Sequence, residues 1–354
     1  MWRKGIIVGA ILFCSMFVFL AWEAMVFFNK TASSSEEMVL FEVRSGEPPR
    51  AVAKRLETAG LVQESFRFWL FMRLSGKTLR AGEYALKGAM FPNEVLAAIS
   101  SGRSYQHSFS VQEGLNLYEI ADLFQERGFG SRDEFITLAR DPELVKELLG
   151  VSFPSLEGYL FPDTYRLAKP LNARKVITTM VDRFKAAYVE LERANHSGLE
   201  RHEAVILASI IEKETGAEEE RPVISSVYLN RLRKPMLLQA DPTVLYGILV
   251  ASGEAKRNLT KTDLLTPTPY NTYTNTGLPV GPIANPGRAA LEAALQPATT
   301  DYYYFVSRND GTHIFSVDYK AHSAAVRKFQ MNAQERSGKS WRDLQKKTAT
   351  KRTN

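Results

Sequence analysis

Cysteine is almost absent from this chain of 354 residues, which contains only Cys14. A single cysteine excludes an intrachain disulfide and any CxxC redox or zinc motif. No His, Cys or carboxylate residues have the spacing of metal ligands either. The sequence therefore predicts no metal and no cofactor, and a folded part that is stabilised by its hydrophobic core alone.

Excess charge is missing from most of the chain as well. The formal net charge is +6, yet residues 336–354 contain seven Lys or Arg and one Asp, so this tail accounts for all of it. A neutral body argues against a nucleic-acid-binding protein. We expect the basic tail to be disordered and solvated, with contact to anionic lipid or an acidic wall polymer as the alternative.

A long apolar run occurs at the N-terminus. Residues 5–28 are interrupted only by Glu23, and about 20 apolar residues suffice to cross a bilayer. Basic residues precede the run and acidic residues follow it, which predicts a cytoplasmic N-terminus and an exported body. The alternative is a cleaved signal peptide, but the run is longer than a signal core and lacks a clear cleavage site. We predict an uncleaved anchor in residues 1–30 and a linker in 31–37.

A strand-turn-helix pattern occurs twice. Val43 and Val111 are 68 residues apart, and six further residues match in type at the same offset. Such spacing indicates a repeated unit. The matching residues of the first copy are Val43, Gly46, Val52, Ala53, Leu56, Gly60 and Leu61.

One carboxylate falls on the apolar face of a predicted helix in residues 204–216. The residues with the core-facing spacing i, i+3, i+4 and i+7 are Leu207, Ile210, Ile211 and Glu214. Gly216 should end the helix, which puts Glu214 in its last turn, at the edge of a cleft. Glu212 lies off this face, so we expect only Glu214 to meet the low dielectric that favours a protonated carboxyl. Such a group suits a general acid, although a glutamate near a helix end is more commonly solvated or paired.

Several motifs together resemble one family. They are, in chain order, Leu207–Thr215, Val227–Leu232, Leu238–Val244, Tyr270–Tyr273 and Gly277–Ile283. This set is similar to the motifs of the MltG-type (YceG-like) endolytic murein transglycosylases, and the resemblance covers nearly the whole chain. In that family the catalytic acid/base is the glutamate directly before the threonine, which corresponds to Glu214.

The resemblance implies a lytic transglycosylase that cuts the MurNAc-GlcNAc β-1,4 bond of nascent peptidoglycan strands. It also implies 1,6-anhydroMurNAc ends, a role in ending strand elongation, and penicillin-binding synthases as membrane partners. The location implied is the inner membrane, with the catalytic domain in the periplasm. The residues implied to contact the glycan are Gln239, Asp241, Thr243, Tyr270, Asn271 and Tyr273, with Asn271 and Tyr273 nearest the reacting sugar.

The fold expected is α+β. After the single transmembrane helix we expect a LysM-like β-α-α-β subdomain in residues 38–105, which either binds sugar or serves only as a packing unit. A catalytic α+β domain follows in 106–335, with a lysozyme-like catalytic helix. Within it, 106–165 form the second repeat unit and 200–335 the active-site core, and 336–354 form the tail.

Two other functions are open. A lytic transglycosylase needs one catalytic carboxyl, whereas a peptidoglycan hydrolase normally needs two, and Asp241 is the candidate for the second. Asp241 before Pro242 is also predicted to be the N-cap of a short helix, which explains it without chemistry. The remaining alternative is a non-catalytic glycan-binding scaffold of cell-wall synthesis. His313 is expected to be an ordinary residue of an edge strand.

Overall fold

The computed structural model describes residues 14–16, 18–19, 22–23, 25–169 and 171–331. Its fold is α+β, with helices and three two-stranded sheets in the described part of the chain. The chain divides into two compact units. Unit 1 contains residues 1–108 and 166–171, and unit 2 contains residues 109–165 and 172–354.

Unit 1 is built on an antiparallel pair of strands, β1 (Met38–Val43) and β2 (Gly82–Lys87). Two helices connect them, α1 (Pro49–Thr58) and α2 (Ser65–Ser75), so the order is β-α-α-β. Helix α3 (Pro92–Ser100) follows β2 and buries its apolar face. The core of the unit includes Phe41, Leu56, Phe68, Tyr84 and Leu96.

The same strand-turn-helix order returns in the next part of the chain. Strand β3 (Gln106–Ser110) and helix α4 (Leu117–Glu126) begin 68 residues after β1 and α1. Gly46 and Gly114 both have a positive φ, of 73° and 77°, in the turn between strand and helix. Only glycine adopts this conformation without cost, which explains why both copies keep it. Strand β3 pairs with β4 (Thr164–Ala168), and the division between the units passes through both strands.

Unit 2 is largely helical. Its helices after α4 are α5 (Arg132–Ala139), α6 (Pro142–Leu149), α7 (Ala173–Glu192), α8 (Arg201–Glu214), α9 (Arg221–Arg233), α10 (Asp241–Ser252), α11 (Lys261–Leu265), α12 (Arg288–Leu295) and α13 (Tyr319–Val326). A hairpin of β5 (Tyr304–Ser307) and β6 (His313–Ser316) lies between the last two helices, and its turn contains Asp310 and Gly311. A short π-helical segment, Arg327–Met331, follows α13.

Helix α8 lies at the centre of unit 2. Every residue from Ala204 to Ile211 is buried, because α9, α10 and α12 pack around it. The loop before α12 is attached to α8 by the backbone N–H of Ile283, which donates to the Ser209 hydroxyl over 3.0 Å. At Gly158 a Cβ would lie 2.6 Å from Pro282 and 2.8 Å from Val205, so a loop can approach this helix closely only with glycine there.

His313 is not the ordinary edge residue expected from the alternating pattern. Its backbone N–H donates to Glu220 over 2.8 Å, and its Nδ1 lies 2.7 Å from the other oxygen of that carboxylate. Glu220 ends a 3-10 turn, Glu218–Glu220, that precedes α9. The pair therefore joins the hairpin to the start of α9.

None of the helices formed by the described residues is long and apolar enough to span a bilayer. The anchor predicted in residues 1–30 falls partly outside the described residues, since 1–13, 17, 20, 21 and 24 are not among them. Of the basic tail predicted in residues 336–354, none is described.

Candidate active site

Glu214 is the last residue of α8, and the extended backbone of Thr215 ends the helix there. The expected position in the last turn is confirmed, although the helix ends before Gly216. The carboxyl is partly buried, and the Tyr228 hydroxyl of α9 donates to its Oε1 over 2.7 Å. One carboxyl oxygen is thus held by the protein.

The surroundings of Glu214 favour its protonated form. The pKa of Glu214 is raised from 4.5 to about 7, mainly by burial and to a smaller extent by the negative charge of Asp241. The hydrogen bond from Tyr228 and the positive charge of Arg231 act in the opposite direction. A carboxyl with a pKa near 7 exchanges its proton easily at neutral pH, as a general acid and base must.

Tyr228 and Arg231 form the inner wall of this site. Tyr228 is 1% exposed, and burial together with the charge of Glu214 raises its pKa well above the ordinary value, so it remains a proton donor. Arg231 is three residues further along α9 and donates to two backbone carbonyls, from Nε to Tyr303 over 2.7 Å and from Nη1 to Leu238 over 2.6 Å. The guanidinium therefore fixes two loops beside Glu214.

The sequence motifs contained both residues, but we predicted no role for either. Their separation by three residues on α9 places them on one helix face, which is the signal that could have revealed them.

Asp241 is not the N-cap that we predicted. Ala240 occupies that position, and Asp241 is the first residue of α10. Its exposed carboxylate instead accepts a 2.6 Å hydrogen bond from the Tyr273 hydroxyl. Asp241 therefore brings the loop that contains Tyr273 to the same site, and its charge acts on Glu214.

The other residues expected to contact a glycan have different surroundings. Gln239 is exposed and has a φ of 51°, a left-handed conformation that is uncommon outside glycine. Thr243 and Asn271 are fully buried. The Thr243 hydroxyl donates to the Ala240 carbonyl over 2.7 Å, and the Asn271 amide donates to the Thr266 carbonyl over 2.7 Å. Tyr270 packs edge-on against Tyr246, with ring centroids 4.9 Å apart.

The structure thus brings Glu214, Asp241 and Tyr273 together. Gln239 lies in the adjoining segment, where its backbone N–H donates to the Thr272 carbonyl over 3.1 Å. Thr243 and Asn271 hold the surrounding loops from inside, since their polar groups bond to the protein itself.

The expectation that only Glu214 would meet a low dielectric is wrong. The Glu212 side chain is 7% exposed, lies 3.7 Å from Arg221 and accepts the Gly287 backbone N–H over 2.9 Å. Burial raises its pKa as well. The reason is that α8 is surrounded on several faces, so a residue off the apolar stripe is also covered.

The Glu157 carboxyl is fully buried, and we predicted no role for it from the sequence. It accepts hydrogen bonds from the Leu117 backbone N–H over 2.9 Å, the Tyr246 hydroxyl over 2.7 Å and the Asn285 amide over 2.8 Å. Burial raises the pKa of Glu157 to about 7. Its neighbours Tyr159 and Phe161 are also buried.

Comparison with known proteins gives a match to the model of the YceG-like family over residues 41–328. The chain belongs to the YceG-like family. The endolytic murein transglycosylase of Bacillus subtilis is 32% identical over 320 residues, which are 85% of this chain and 88% of that protein. The endolytic murein transglycosylase of Streptococcus pneumoniae is 26% identical over 310 residues, which are 78% of this chain and 55% of that longer protein.

A solved structure of the family gives the same fold. The crystal structure of a YceG-like protein from Listeria monocytogenes is 32% identical, with a TM-score of 0.55. The similarity covers 82% of this chain and 99% of that one. In the described part of this chain, no group of three or more His, Cys, Asp or Glu side chains could hold a metal ion.

Proposed function

We propose that this YceG-like protein is an endolytic murein transglycosylase in which Glu214 is the only catalytic carboxyl. The observation that carries the proposal is the position of the Glu214 carboxyl, at the end of α8 and hydrogen-bonded by Tyr228, where burial raises its pKa to about 7. The names of the relatives from Bacillus and Streptococcus support the substrate class.

In the proposed reaction, protonated Glu214 donates its proton to the glycosidic oxygen between MurNAc and GlcNAc. That oxygen leaves as the 4-hydroxyl of GlcNAc, and positive charge develops at C1 of MurNAc. The C6 hydroxyl of the same MurNAc attacks C1, and the Glu214 carboxylate accepts its proton. The product is a 1,6-anhydroMurNAc end, no water is consumed, and Glu214 returns to its protonated form.

The neighbouring residues divide into two groups. Tyr228 holds one oxygen of Glu214, which leaves the other oxygen for the substrate. Gln239, Asp241 and Tyr273 present polar groups at the site, and we assign glycan contact to them. The second group acts on the glycan only through the loops that it holds, and it consists of Thr243, Tyr270 and Asn271. The hydroxyl of Thr243 and the amide of Asn271 donate hydrogen bonds to the protein backbone itself.

The test is cleavage of purified glycan strands in heavy-oxygen water, with mass spectrometry of the products. A transglycosylase leaves unlabelled anhydro ends, whereas a hydrolase that uses Asp241 as its base leaves labelled reducing ends. Glu214→Gln should reduce cleavage by about 10²–10⁴-fold, the usual contribution of a general acid. Glu212→Gln is the matched control on the same helix and should retain cleavage. Wild-type rates from Glu214→Gln would exclude Glu214 as the catalytic acid. Absence of cleavage by the wild-type chain would instead leave the glycan-binding scaffold.

The cellular setting is part of the same proposal. The apolar residues 5–28 form a single-pass anchor with a cytoplasmic N-terminus, and residues 31–37 keep the catalytic unit near the outer face of the inner membrane. There the enzyme meets nascent strands as penicillin-binding synthases make them, and its cuts end their elongation. Unit 1, with its β-α-α-β order, is the LysM-like part. Titration of the full chain with isolated glycan would measure its affinity for sugar.

A further inference from the structure

Helix α2 of unit 1 is apolar on the face turned away from the core. Phe68 and Met72 are buried on the inner face. On the outer face Phe66 is 61% exposed, Leu70 40% and Leu74 78%. These three residues recur every four positions and form one continuous stripe. A helix that is apolar on both faces requires a second apolar environment.

The N-terminal apolar segment packs beside this stripe. Glu23, the one charged residue within that segment, forms a 2.8 Å ion pair with Arg67 of α2. The Phe28 ring packs edge-on against Phe71 of α2, with centroids 4.8 Å apart. Between the segment and α2 lies an apolar cavity of about 450 Å³, which Phe28, Leu70 and Leu74 help to line. The stripe is therefore continuous with the segment proposed to cross the membrane.

This contact fixes the depth of α2 relative to the proposed anchor. Glu23 directly follows the uncharged residues 6–22, which would span about 25 Å as a helix, close to the ~30 Å thickness of the hydrocarbon core. The headgroup layer on each side of a bilayer is roughly 5–8 Å thick. A residue that pairs with Glu23 is thus at the level of the membrane surface.

The charged residues of α2 are consistent with a position at the membrane surface. Arg67 and Arg73 lie on either side of the stripe, and both are exposed. Long cationic side chains in this position extend toward headgroups while their stems cover apolar surface. The Arg73 guanidinium also lies 5.8 Å from the centre of the half-buried Trp69 ring, and tryptophan favours the interface.

We infer that α2 lies in the outer interface of the bilayer, with Phe66, Leu70 and Leu74 among the lipid chains and its arginines at the headgroups. The partner is a lipid surface, and unit 1 is then held against the membrane by a second contact besides the anchor. This inference rests on the proposed anchor.

The experiment uses the full chain in bilayer nanodiscs of phosphatidylethanolamine and phosphatidylglycerol. Cys14→Ser removes the native cysteine, and a nitroxide label is then attached at Leu74→Cys. Collision of the label with oxygen, which concentrates in lipid, is compared with collision with a water-soluble nickel chelate. The matched control is Leu265→Cys on α11 of unit 2, where the native leucine is 74% exposed. Unfolding curves verify that each labelled chain is folded.

The expected result is a shift toward oxygen collisions at Leu74 and toward nickel collisions at Leu265. Equal nickel collision at both sites would overturn the inference, since Leu74 would then face water. Protection of the Leu74 label from both reagents would also overturn it, because a protein contact would cover the stripe. If alkaline extraction releases the chain from membranes, the proposed anchor is overturned as well. This measurement distinguishes failure of the anchor from failure of the α2 contact with lipid.

Discussion

The Tyr228 hydroxyl donates a 2.7 Å hydrogen bond to the Glu214 carboxyl, and Tyr228 is buried while Glu214 is partly buried. The hydrogen bond favours the ionised carboxylate, while burial favours the neutral acid. Burial is the larger effect, so the pKa of Glu214 rises to about 7. Tyr228 limits this rise, and it determines how much of the enzyme is in the acid form at neutral pH.

Glycan cleavage should therefore fall as the pH rises above about 7, because the catalytic acid is lost. Tyr228→Phe removes the donor that stabilises the carboxylate, so the pKa of Glu214 should rise further. We expect the alkaline limb of the kcat/KM profile to move up by about one pH unit, since a hydrogen bond to a charged group contributes roughly 1.5 kcal/mol.

Tyr188→Phe is the matched control for this variant. The Tyr188 hydroxyl is buried on α7 without a hydrogen-bond partner in the described part of the chain, so its loss should leave the pH profile unchanged. A Tyr228→Phe profile that superimposes on the wild-type profile would show that Glu214 does not set the alkaline limb.

Asp241→Asn should move the alkaline limb of the kcat/KM profile to lower pH. Its negative charge raises the pKa of Glu214, so a neutral amide should lower that pKa and make the acid form scarcer at pH 7. The asparagine oxygen can still accept the Tyr273 hydrogen bond, so the loop should keep its position. Below the shifted limb, kcat should stay near the wild-type value if Glu214 acts alone, and loss of the glycan contact of Asp241 should appear in KM.

The kinetics of Asp241→Asn also distinguish transglycosylation from hydrolysis. A hydrolase that relies on Asp241 as its base would lose about 10²–10⁴-fold at every pH. Tyr273→Phe, which leaves the carboxylate charge in place, distinguishes the effect of charge from that of loop position. If Asp241→Asn reduces kcat by the same factor at every pH while Tyr273→Phe does not, the single-carboxyl mechanism is excluded.

Local patterns predicted much of the fold and the position of Glu214. The repeat at 68 residues and the last-turn position of Glu214 are properties of short segments, where periodicity and glycine positions are informative. The long-range contacts were not predictable in this way. Glu212 was expected to lie outside the low dielectric because its helix was treated as covered on one face. Asp241 was taken for an N-cap because it precedes Pro242, and its actual partner Tyr273 is 32 residues away in sequence.

Glu157 illustrates this limit most clearly. Its partners Leu117, Tyr246 and Asn285 are 40, 89 and 128 residues away in sequence, and periodicity does not reveal such contacts. Three donors converge on one buried carboxyl, so it connects the first turn of α4, helix α10 and the loop before α12. This role is structural, since no oxygen of Glu157 is exposed to a substrate.

The charge of Glu157 should make the stability of unit 2 depend on pH. Its pKa rises from 4.5 to about 7 on folding, so between these values the folded state binds more protons than the unfolded state. The free energy of unfolding should therefore decrease as the pH rises from 4.5 to 7 and level off above that, with a total loss of about 3 kcal/mol from this group. Glu214 should contribute in the same direction.

Glu157→Gln should reduce this pH dependence, because the amide cannot ionise and its oxygen can still accept from Leu117 and Tyr246. Urea unfolding at pH 5 and pH 7.5 measures the difference, with Glu214→Gln as the variant that removes only the contribution of the active site. Glu157→Ala should instead destabilise the protein at both pH values by about 3–5 kcal/mol, since it leaves buried donors without an acceptor. A pH dependence as steep in Glu157→Gln as in wild type would show that this carboxyl does not take up a proton on folding.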